Sequence, residues 1–270
     1  MPERHAEERH ALLLELLSRQ QFASLDEMQR ATGASPPTIR RDLTLLERQG
    51  LLKRVRGGAS PVAVSSTLDE AFDLRRRRNA REKGAIALAA ATLVTNRTSI
   101  LLNDGSTTLA LAEELAARAP SLWIATNGLN IGERLASVAS FEVIVIGGAL
   151  RASSFGTSGP LAAAAISQLS VDITFISCDG ADLDLGVRSN SLQDAEIAAA
   201  MAKQARRVVV LADKSKIGQR AIAGTLGWSD VDILITNECD EQWRERLRDQ
   251  RVEVIVAKPP AGANDSADQP

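Results

Sequence analysis

The sequence has little of what marks several common classes of protein. It contains two cysteines, Cys178 and Cys239, and because their spacing fits no metal motif we expect small core residues rather than ligands or a disulfide. No apolar run reaches the ~20 residues of a membrane span. The polar start, residues 1–5, does not resemble a signal peptide. These absences predict a cytoplasmic protein with no membrane partner.

Histidine is equally scarce. His5 and His10 both lie near the amino terminus, and no histidine follows them. Since histidine is the most frequent general base, its absence from the rest of the chain counts against catalysis there, although mechanisms that use only carboxylates survive this objection. No P-loop, dinucleotide-binding fingerprint or zinc motif is present. We therefore expect no catalytic residue, no metal ion and no cofactor.

Length and charge indicate two domains of different character. A chain of 270 residues with 44% hydrophobic and 24% charged residues suits about two domains of ~150 residues. Residues 1–58 hold ten Lys/Arg and eight Asp/Glu, a net charge of +2, whereas the whole chain carries −2. A small basic domain joined to an acidic body is one electrostatic pattern of a nucleic-acid-binding protein.

The first 50 residues predict three short helices. Leucines concentrate in residues 9–17, and a capping box at Ser24 begins a second helix, which ends at Gly33. Ser35 is placed to cap a third helix, with a proline at its first helical position and Gly50 at its end. Two helices joined by a tight turn form a helix-turn-helix, in which the last helix reads DNA.

The third helix has one apolar and one basic side. Ile39, Leu43 and Leu46 recur at the spacing of a single buried stripe. The remaining candidates for DNA contact on this helix and at its start are Ser35, Thr38, Arg40, Arg41, Thr44 and Arg48. Arginine binds phosphate or the edge of guanine, and threonine binds phosphate or contacts a thymine methyl group. A solvated helix face would explain the third helix alone, but its helix-turn-helix context favours DNA.

A basic extended segment follows at residues 51–58 and turns at a glycine pair. This pattern predicts a wing. Lys53, Arg54 and Arg56 would then lie against the sugar-phosphate backbone, where they position the domain without reading sequence.

The second half of the chain alternates apolar runs with helical segments. Strands are predicted at 99–102, 122–126, 142–146, 172–177, 207–212, 232–236 and 252–256. Helices are predicted at 108–119, 129–137, 161–169, 192–205 and 240–250. Such apolar strands separated by helices indicate a mostly parallel sheet covered on both faces. The fold class is therefore α/β, preceded by a small winged helix-turn-helix domain.

Ligands of such sheets bind beyond the carboxyl ends of the strands. The segment after the first strand can form an anion-binding nest at a helix start, although an ordinary capped turn deserves equal weight. The candidate residues in it are Asp104, Gly105, Ser106, Thr107 and Thr108. Those after later strands are Asn127, Gly147, Gly148, Asp179, Gly180 and Lys214. Several such ends at one rim favour a pocket for a phosphate-bearing ligand.

The predicted boundaries give four segments: a winged helix-turn-helix at 1–58, a linker and connecting helix at 59–80, an α/β domain at 81–257 and a disordered tail at 258–270. The arginine run 75–78 is interpreted as a solvated helix face slightly more readily than as a DNA or interdomain contact.

These motifs resemble those of the DeoR family of bacterial transcriptional regulators. The resemblance covers about residues 5 to 257. It rests on residues 38–43 and 54–59 in the first domain, and on 104–108, 126–127, 147–148, 179–180 and 213–216 in the second. Arg56 replaces the usual histidine, Asn96-Arg97 replaces Asp-Gly, and Asn237 stands where aspartate is frequent.

The resemblance implies a winged helix-turn-helix followed by a sensor domain similar in fold to sugar-phosphate isomerases and deaminases, which binds a phosphorylated sugar without turning it over. The favoured hypothesis is a repressor of a carbohydrate catabolic operon that binds operator DNA as a dimer or tetramer and is released by a sugar phosphate. The alternative is a sugar-phosphate isomerase or deaminase with an appended helical domain. Nominal catalytic candidates for that alternative are Asp104, Asp179, Asp182, Asp184, Glu196 and Lys214.

Overall fold

The computed structural model describes residues 2–19, 22–48, 51–55, 57–61, 72–118 and 120–258. The chain divides into two compact units, Met1–Ala71 and Phe72–Pro270. Among the described residues, no helix is both long and apolar enough to cross a membrane.

The first unit contains three helices and a small sheet. The helices are α1 (Pro2–Arg19), α2 (Leu25–Thr32) and α3 (Pro36–Arg48). The strands are β1 (Ala23–Ser24), β2 (Leu52–Val55) and β3 (Gly58–Pro61), in the antiparallel order β1-β3-β2. The expected capping box is present, because the Ser24 hydroxyl accepts from Glu27 N and the Glu27 carboxylate accepts from Ser24 N. Gly33 ends α2 in the left-handed conformation, with φ 65°. The predicted end of α3 at Gly50 lies outside the described residues.

The core of this unit is formed by the residues that the periodicity selects. Ile39, Leu43 and Leu46 of α3 are at most 2% exposed, which confirms the buried stripe. They pack with Leu13 and Leu17 of α1, with the α2 methionine and with Leu52 of the wing. The apolar side of α3 therefore packs into the core, and its basic side lies at the surface.

The wing is longer than predicted. Residues 59–61, expected to begin the linker, belong to β3, where Ala59 pairs with both Ala23 and Arg54. Ala59 is fully buried, and a Cβ on Gly58 would overlap the Ala23 carbonyl. Small residues here serve close strand packing, although the same composition is typical of a linker. The rest of the expected linker, 62–71, lies outside the described residues, and the helix after it belongs to the second unit.

The second unit has a seven-stranded, wholly parallel sheet. Its strands are β4 (Ser99–Leu102), β5 (Leu122–Thr126), β6 (Phe141–Val145), β9 (Val171–Ser177), β12 (Ala205–Leu211), β14 (Ile233–Thr236) and β15 (Glu253–Val256). Their order is β15-β14-β12-β9-β4-β5-β6. All seven predicted strands are confirmed, with ends shifted by two residues at most.

Helices cover both faces of this sheet. They are α4 (Phe72–Arg77), α5 (Ala80–Ala91), α6 (Ser106–Arg118), α7 (Leu129–Ala136), α8 (Pro160–Ile166), α9 (Leu192–Ala202) and α10 (Glu241–Asp249). Successive residues of β4 point to opposite sides: Ile100 and Leu102 pack with α5, α6 and α7, whereas Leu101 packs with α8 and α9. The five predicted helices are confirmed, while α5 was not predicted.

Two small sheets were also not predicted. One is the hairpin of β7 (Ala149–Arg151) and β8 (Gly156–Ser158), and the other joins β10 (Gly180–Asp182), β11 (Gly186–Ser189) and β13 (Ala223–Leu226). Their strands of three or four residues are too short to show a periodicity, and they lack the continuous apolar run that marks short strands such as β4 and β14.

Lys83 of α5 is an unexpected buried charge. Only 5% of the residue is exposed, and its ammonium group donates to the carbonyl oxygens of Arg75 and Arg78. These carbonyls lie at the end of α4, where a cation complements the helix dipole. Lys83 thus fixes the short helix that carries Arg75.

Replacing Lys83 with Met keeps the aliphatic stem but removes this charged donor. We expect a loss of about 2 kcal/mol in the free energy of unfolding, because hydrogen bonds to charged groups contribute ~1.5–3 kcal/mol. Urea unfolding followed by tryptophan fluorescence measures it, since Trp123, Trp228 and Trp243 all lie in the second unit. The exposed Lys203→Met is the control. Equal midpoints for the two variants would contradict this role.

Candidate functional site

The strand order places a crevice between β4 and β9. From β4 the chain proceeds outward through β5 and β6, and from β9 it proceeds in the opposite direction through β12, β14 and β15. Adjacent strands whose connections leave in opposite directions open a crevice at their carboxyl ends, where α/β proteins bind ligands. The loop after β4 and the loop after β9 therefore meet at this point.

Two buried carboxamides hold the loop after β4. Asn103 donates to the Ser177 carbonyl at 3.0 Å and accepts from Ser177 N at 2.9 Å, which ties β4 to β9. Asn127, 1% exposed, accepts from Asp104 N at 2.8 Å and donates to Asp104 Oδ1 at 2.9 Å and to the Thr157 carbonyl at 3.0 Å. Asn127, predicted as a ligand contact, thus has the contacts of a residue that positions Asp104.

The hydroxyl groups of the predicted anion loop are used in two ways. Thr108 is fully buried and donates to the Gly105 carbonyl at 3.1 Å, so it stabilises the turn into α6. Ser106 and Thr107 begin α6, and their hydroxyls have no hydrogen bond to any described residue. Thr107 is 94% buried. A hydroxyl without a partner among the described residues, beside the free N–H groups of a helix start, suits an anionic ligand.

Three of the predicted glycines allow close backbone approach. A Cβ on Gly105 would overlap Ser177 Oγ, one on Gly148 would lie 2.5 Å from the Ser158 carbonyl, and one on Gly180 would overlap the Gln219 carbonyl. A Cβ on Gly147 would meet nothing within 4 Å. Gly105, Gly148 and Gly180 therefore shape the rim through their lack of a side chain.

A charged cluster that sequence reasoning missed completes the rim. Arg151 of β7 binds Asp194 of α9, with Nη1 2.6 Å from Oδ2. Burial raises the pKa of Asp194 to about 6, and the negative charges of Asp104 and Asp179 add to this effect, while Arg151 and Arg75 oppose it. Asp194 therefore shares one electrostatic environment with two carboxylates that were predicted from sequence.

Arg75 was interpreted as part of a solvated face or of a DNA or interdomain contact, and within its own unit it is partly buried rather than solvated. Its guanidinium donates to the Ser153 carbonyl at 3.0 Å and lies 5.7 Å from the Phe72 ring centroid. Arg76 does lie at the surface, paired with Glu113. No local pattern distinguishes the two arginines. For Asp194 the sequence did contain a local signal, because this residue lies in the first turn of α9, just after the capping residue Ser191.

Two later candidates lie in ordered turns. Asp179 accepts from Ser189 Oγ at 3.2 Å and from Asn190 N at 2.8 Å. Lys214 follows β12, and its ammonium binds the Glu238 carboxylate at 2.9 Å, which raises the pKa of Lys214. Both side chains are more than half exposed, so this pair is weak and can exchange for a ligand. Asn237 accepts from Lys214 N at 2.8 Å.

The basic side of α3 and the wing form one surface. Arg40, Arg41 and Lys53 are exposed, as predicted. Arg54 lies closer to α3 than expected, because its Nη1 donates to Thr44 Oγ1 at 2.8 Å and its backbone N donates to Glu47 at 2.9 Å. The hydroxyl groups of Ser35 and Thr38 lie 2.9 Å apart, within hydrogen-bond distance. Thr44 Oγ1 donates a hydrogen bond to the Arg40 carbonyl at 2.8 Å. Arg56 and the side chain of Arg48 lie outside the described residues.

Asp42 orients α3 from its buried side, a role that sequence reasoning missed. It is 6% exposed and accepts from Arg9 Nε at 2.5 Å and Nη2 at 3.1 Å, and its Oδ1 lies 3.0 Å from His10 Nε2. Burial opposes ionisation, but the hydrogen bonds from Arg9 and His10 lower the pKa of Asp42 overall. Asp42 thus links α3 to α1.

Comparison with known proteins assigns both units. Residues 9–63 match the model of the DeoR-like helix-turn-helix domain, and residues 78–238 match that of the DeoR C terminal sensor domain. The HTH-type transcriptional regulator GolR of Listeria innocua is 32% identical over 93% of this chain and 98% of its own. The Glycerol-3-phosphate regulon repressor of Haemophilus influenzae is 29% identical over 92% of this chain and 96% of its own.

Solved structures give a more distant likeness. Ribose 5-phosphate isomerase A from Methanocaldococcus jannaschii matches with a TM-score of 0.39 at 19% identity, over 52% of this chain and 55% of that one. The translation initiation factor eIF-2B of Pyrococcus horikoshii matches with a TM-score of 0.40 at 16% identity, over 86% and 83%. The two family models and the near full-length relatives establish the assignment: the chain belongs to the DeoR family of transcriptional regulators.

Proposed function

We propose that this regulator represses a carbohydrate catabolic operon and that a phosphorylated sugar, bound between β4 and β9, releases it from operator DNA. The observation that carries the sensor half of the proposal is the pair of unbound hydroxyls, Ser106 and Thr107, at the start of α6. The names of relatives support the repressor half, since one is a Glycerol-3-phosphate regulon repressor and another a Putative aga operon transcriptional repressor.

In this proposal α3 enters the major groove and the wing contacts the backbone. Arg41 is exposed on α3, and its fork suits a guanine edge. Lys53, exposed on β2, suits a phosphate. Arg54 stands between them, because Thr44 holds its guanidinium against α3.

Two variants separate these contacts. Arg41→Ala should cost ~1 to 3 kcal/mol and relax the base preference, whereas Lys53→Ala should weaken binding to all sequences and lower the salt slope by about one. Fluorescence anisotropy with operator and scrambled duplexes over a salt series measures both effects. Arg246→Ala, in the second unit, is the control. If both variants showed the same salt slope and the same loss of base preference, the assignment of base contact to Arg41 and phosphate contact to Lys53 would be contradicted.

The effector half is tested at Thr107. Thr107→Val keeps the shape but removes the hydroxyl, so DNA binding should persist while the effector concentration for half release rises at least about tenfold. Thr92→Val, at the end of α5, is the matched control. The effector should be recovered unchanged by NMR, as binding without turnover requires. Release of Thr107→Val at the wild-type concentration would exclude this subsite, and isomerised sugar would favour the enzyme alternative.

We also propose that the regulator is a homo-oligomer. Parallel sheets are usually covered on both faces, yet Trp123 of β5 and Ile144 of the edge strand β6 are 54% and 45% exposed. The register pairs Ile144 with Ala125, two residues from Trp123, so both side chains lie on one face. A second copy of the chain, which would also supply a second DNA-binding unit for a two-part operator, suits the part of this face, at β5 and β6, that the helices leave exposed.

Ile144→Lys should lower the oligomer mass, because a charge on this face opposes its burial. Size-exclusion chromatography with light scattering measures it over a range of concentrations. Ile222→Lys is the control, since Ile222 is 69% exposed in a loop before β13. A wild-type mass of one chain, or an unchanged mass for Ile144→Lys, would refute this interface.

A further inference from the structure

The crevice between β4 and β9 offers different chemistry at its two ends. At the start of α6, Ser106, Thr107 and free backbone N–H groups suit a phosphate. Around Asp194, the groups that act on its charge are Asp104 and Asp179 with the same sign, and Arg151 and Arg75 with the opposite sign. The second end therefore decides what the rest of a sugar phosphate must look like.

The two arginines at this second end are already engaged by the protein. Arg151 places Nη1 2.6 Å from Asp194 Oδ2. Arg75 donates to the Ser153 carbonyl and lies over the Phe72 ring, and its buried Nε faces no acceptor among the described residues. Both guanidinium groups therefore already contact acceptors of the protein.

The carboxylates, by contrast, retain acceptor capacity. Asp104 accepts through Oδ1 from Asn127, Asp179 accepts through Oδ2 from Ser189 and Asn190, and Asp194 uses Oδ2 for Arg151. Within the described part of the chain, no donor reaches the other oxygen of any of the three. With three carboxylates against two arginines, the ionised cluster has an excess negative charge. Burial is the main cause of the raised pKa of Asp194, about 6, and the negative charges of Asp104 and Asp179 add to it.

We propose that the site selects sugar phosphates whose end away from the phosphate carries no negative charge, and that Asp194 enforces this selection. Hydroxyl groups at that end donate to the open carboxylate oxygens, whereas a carboxylate or second phosphate meets like charge, because Arg151 and Arg75 already contact acceptors of the protein. This inference rests on the proposed function and narrows it to one chemical class of effector.

Matched ligand pairs test the selection directly. Glucose 6-phosphate differs from 6-phosphogluconate, and glycerol 3-phosphate from 3-phosphoglycerate, in the carboxylate at the far end. We expect calorimetric titration of the full chain at pH 7.5 to show that, within a pair that binds, the ligand with the carboxylate has at least about tenfold lower affinity. Fructose 6-phosphate against fructose 1,6-bisphosphate extends the test to a second phosphate.

The role of Asp194 is tested by Asp194→Asn, which keeps the shape and removes the charge. The ratio of affinities within a pair should fall toward one in this variant. Asp184→Asn is the matched control, because Asp184 is exposed and pairs with Arg246 outside the cluster, and it should leave the ratio unchanged.

A measurement on the wild-type chain covers the case in which Asp194→Asn does not fold. Lowering the pH from 7.5 to 5.5 passes through the pKa of Asp194 and protonates its carboxylate. The ratio of affinities within a ligand pair should therefore fall toward one. The phosphate titrates alike in both members of a pair, and its effect cancels in the ratio.

Each outcome has one meaning. Equal affinity for both members of the pairs at pH 7.5, or a ratio that neither Asp194→Asn nor low pH changes, overturns the selection by Asp194 while leaving the sugar-phosphate sensor intact. If no member of any pair binds, the proposed sensor function fails, and the selection fails with it.

Discussion

The arrangement of the second unit depends on satisfying two buried carboxamides at the ends of neighbouring strands. A buried amide group without partners is costly, but Asn103 spans β4 and β9, and Asn127 spans the loop after β4 and the hairpin β7-β8. These bonds fix the backbone of residues 103–105 before any ligand arrives. A loop that is already ordered loses little conformational entropy when it binds a ligand, which suits the phosphate site proposed here.

In the first unit, a buried charged group is satisfied by an ion pair. Asp42 lies on the buried side of α3 and joins it to Arg9 and His10 of α1. Removing one partner of such a pair would leave a buried charge without compensation. The arginines on the opposite side, Arg40 and Arg41, remain at the surface. The same short helix therefore carries one acidic residue for orientation and several basic ones for its partner.

Local features of the sequence were sufficient for most of the fold. Each parallel strand is a continuous apolar run, and the Ser24 capping box and Gly33 act within a few residues of their own position. Strand ends also revealed Asp104 and Asp179, because polar residues after such runs are conspicuous. Arg75, Arg151 and Asp194 lie on three different elements, and only the tertiary structure brings their charges together.

The errors have physical causes as well. Residues 59–61 have the composition of a linker, yet close packing against Ala23 needs the same small residues. Asn127 and Thr108 make hydrogen bonds to the protein, and their contact with an effector stays a prediction.

A sensor places different demands on its binding site than an enzyme does. A catalyst must bind the transition state more tightly than the substrate, whereas a sensor is served by binding the ground state. Asp104 and Asp179 each accept hydrogen bonds from protein donors, which fix the orientation of the two side chains. Asp194 has the raised pKa of a proton acceptor, but its salt bridge to Arg151 would have to weaken for it to take up a proton. Under the proposed function, this arrangement of charges serves recognition of the ligand.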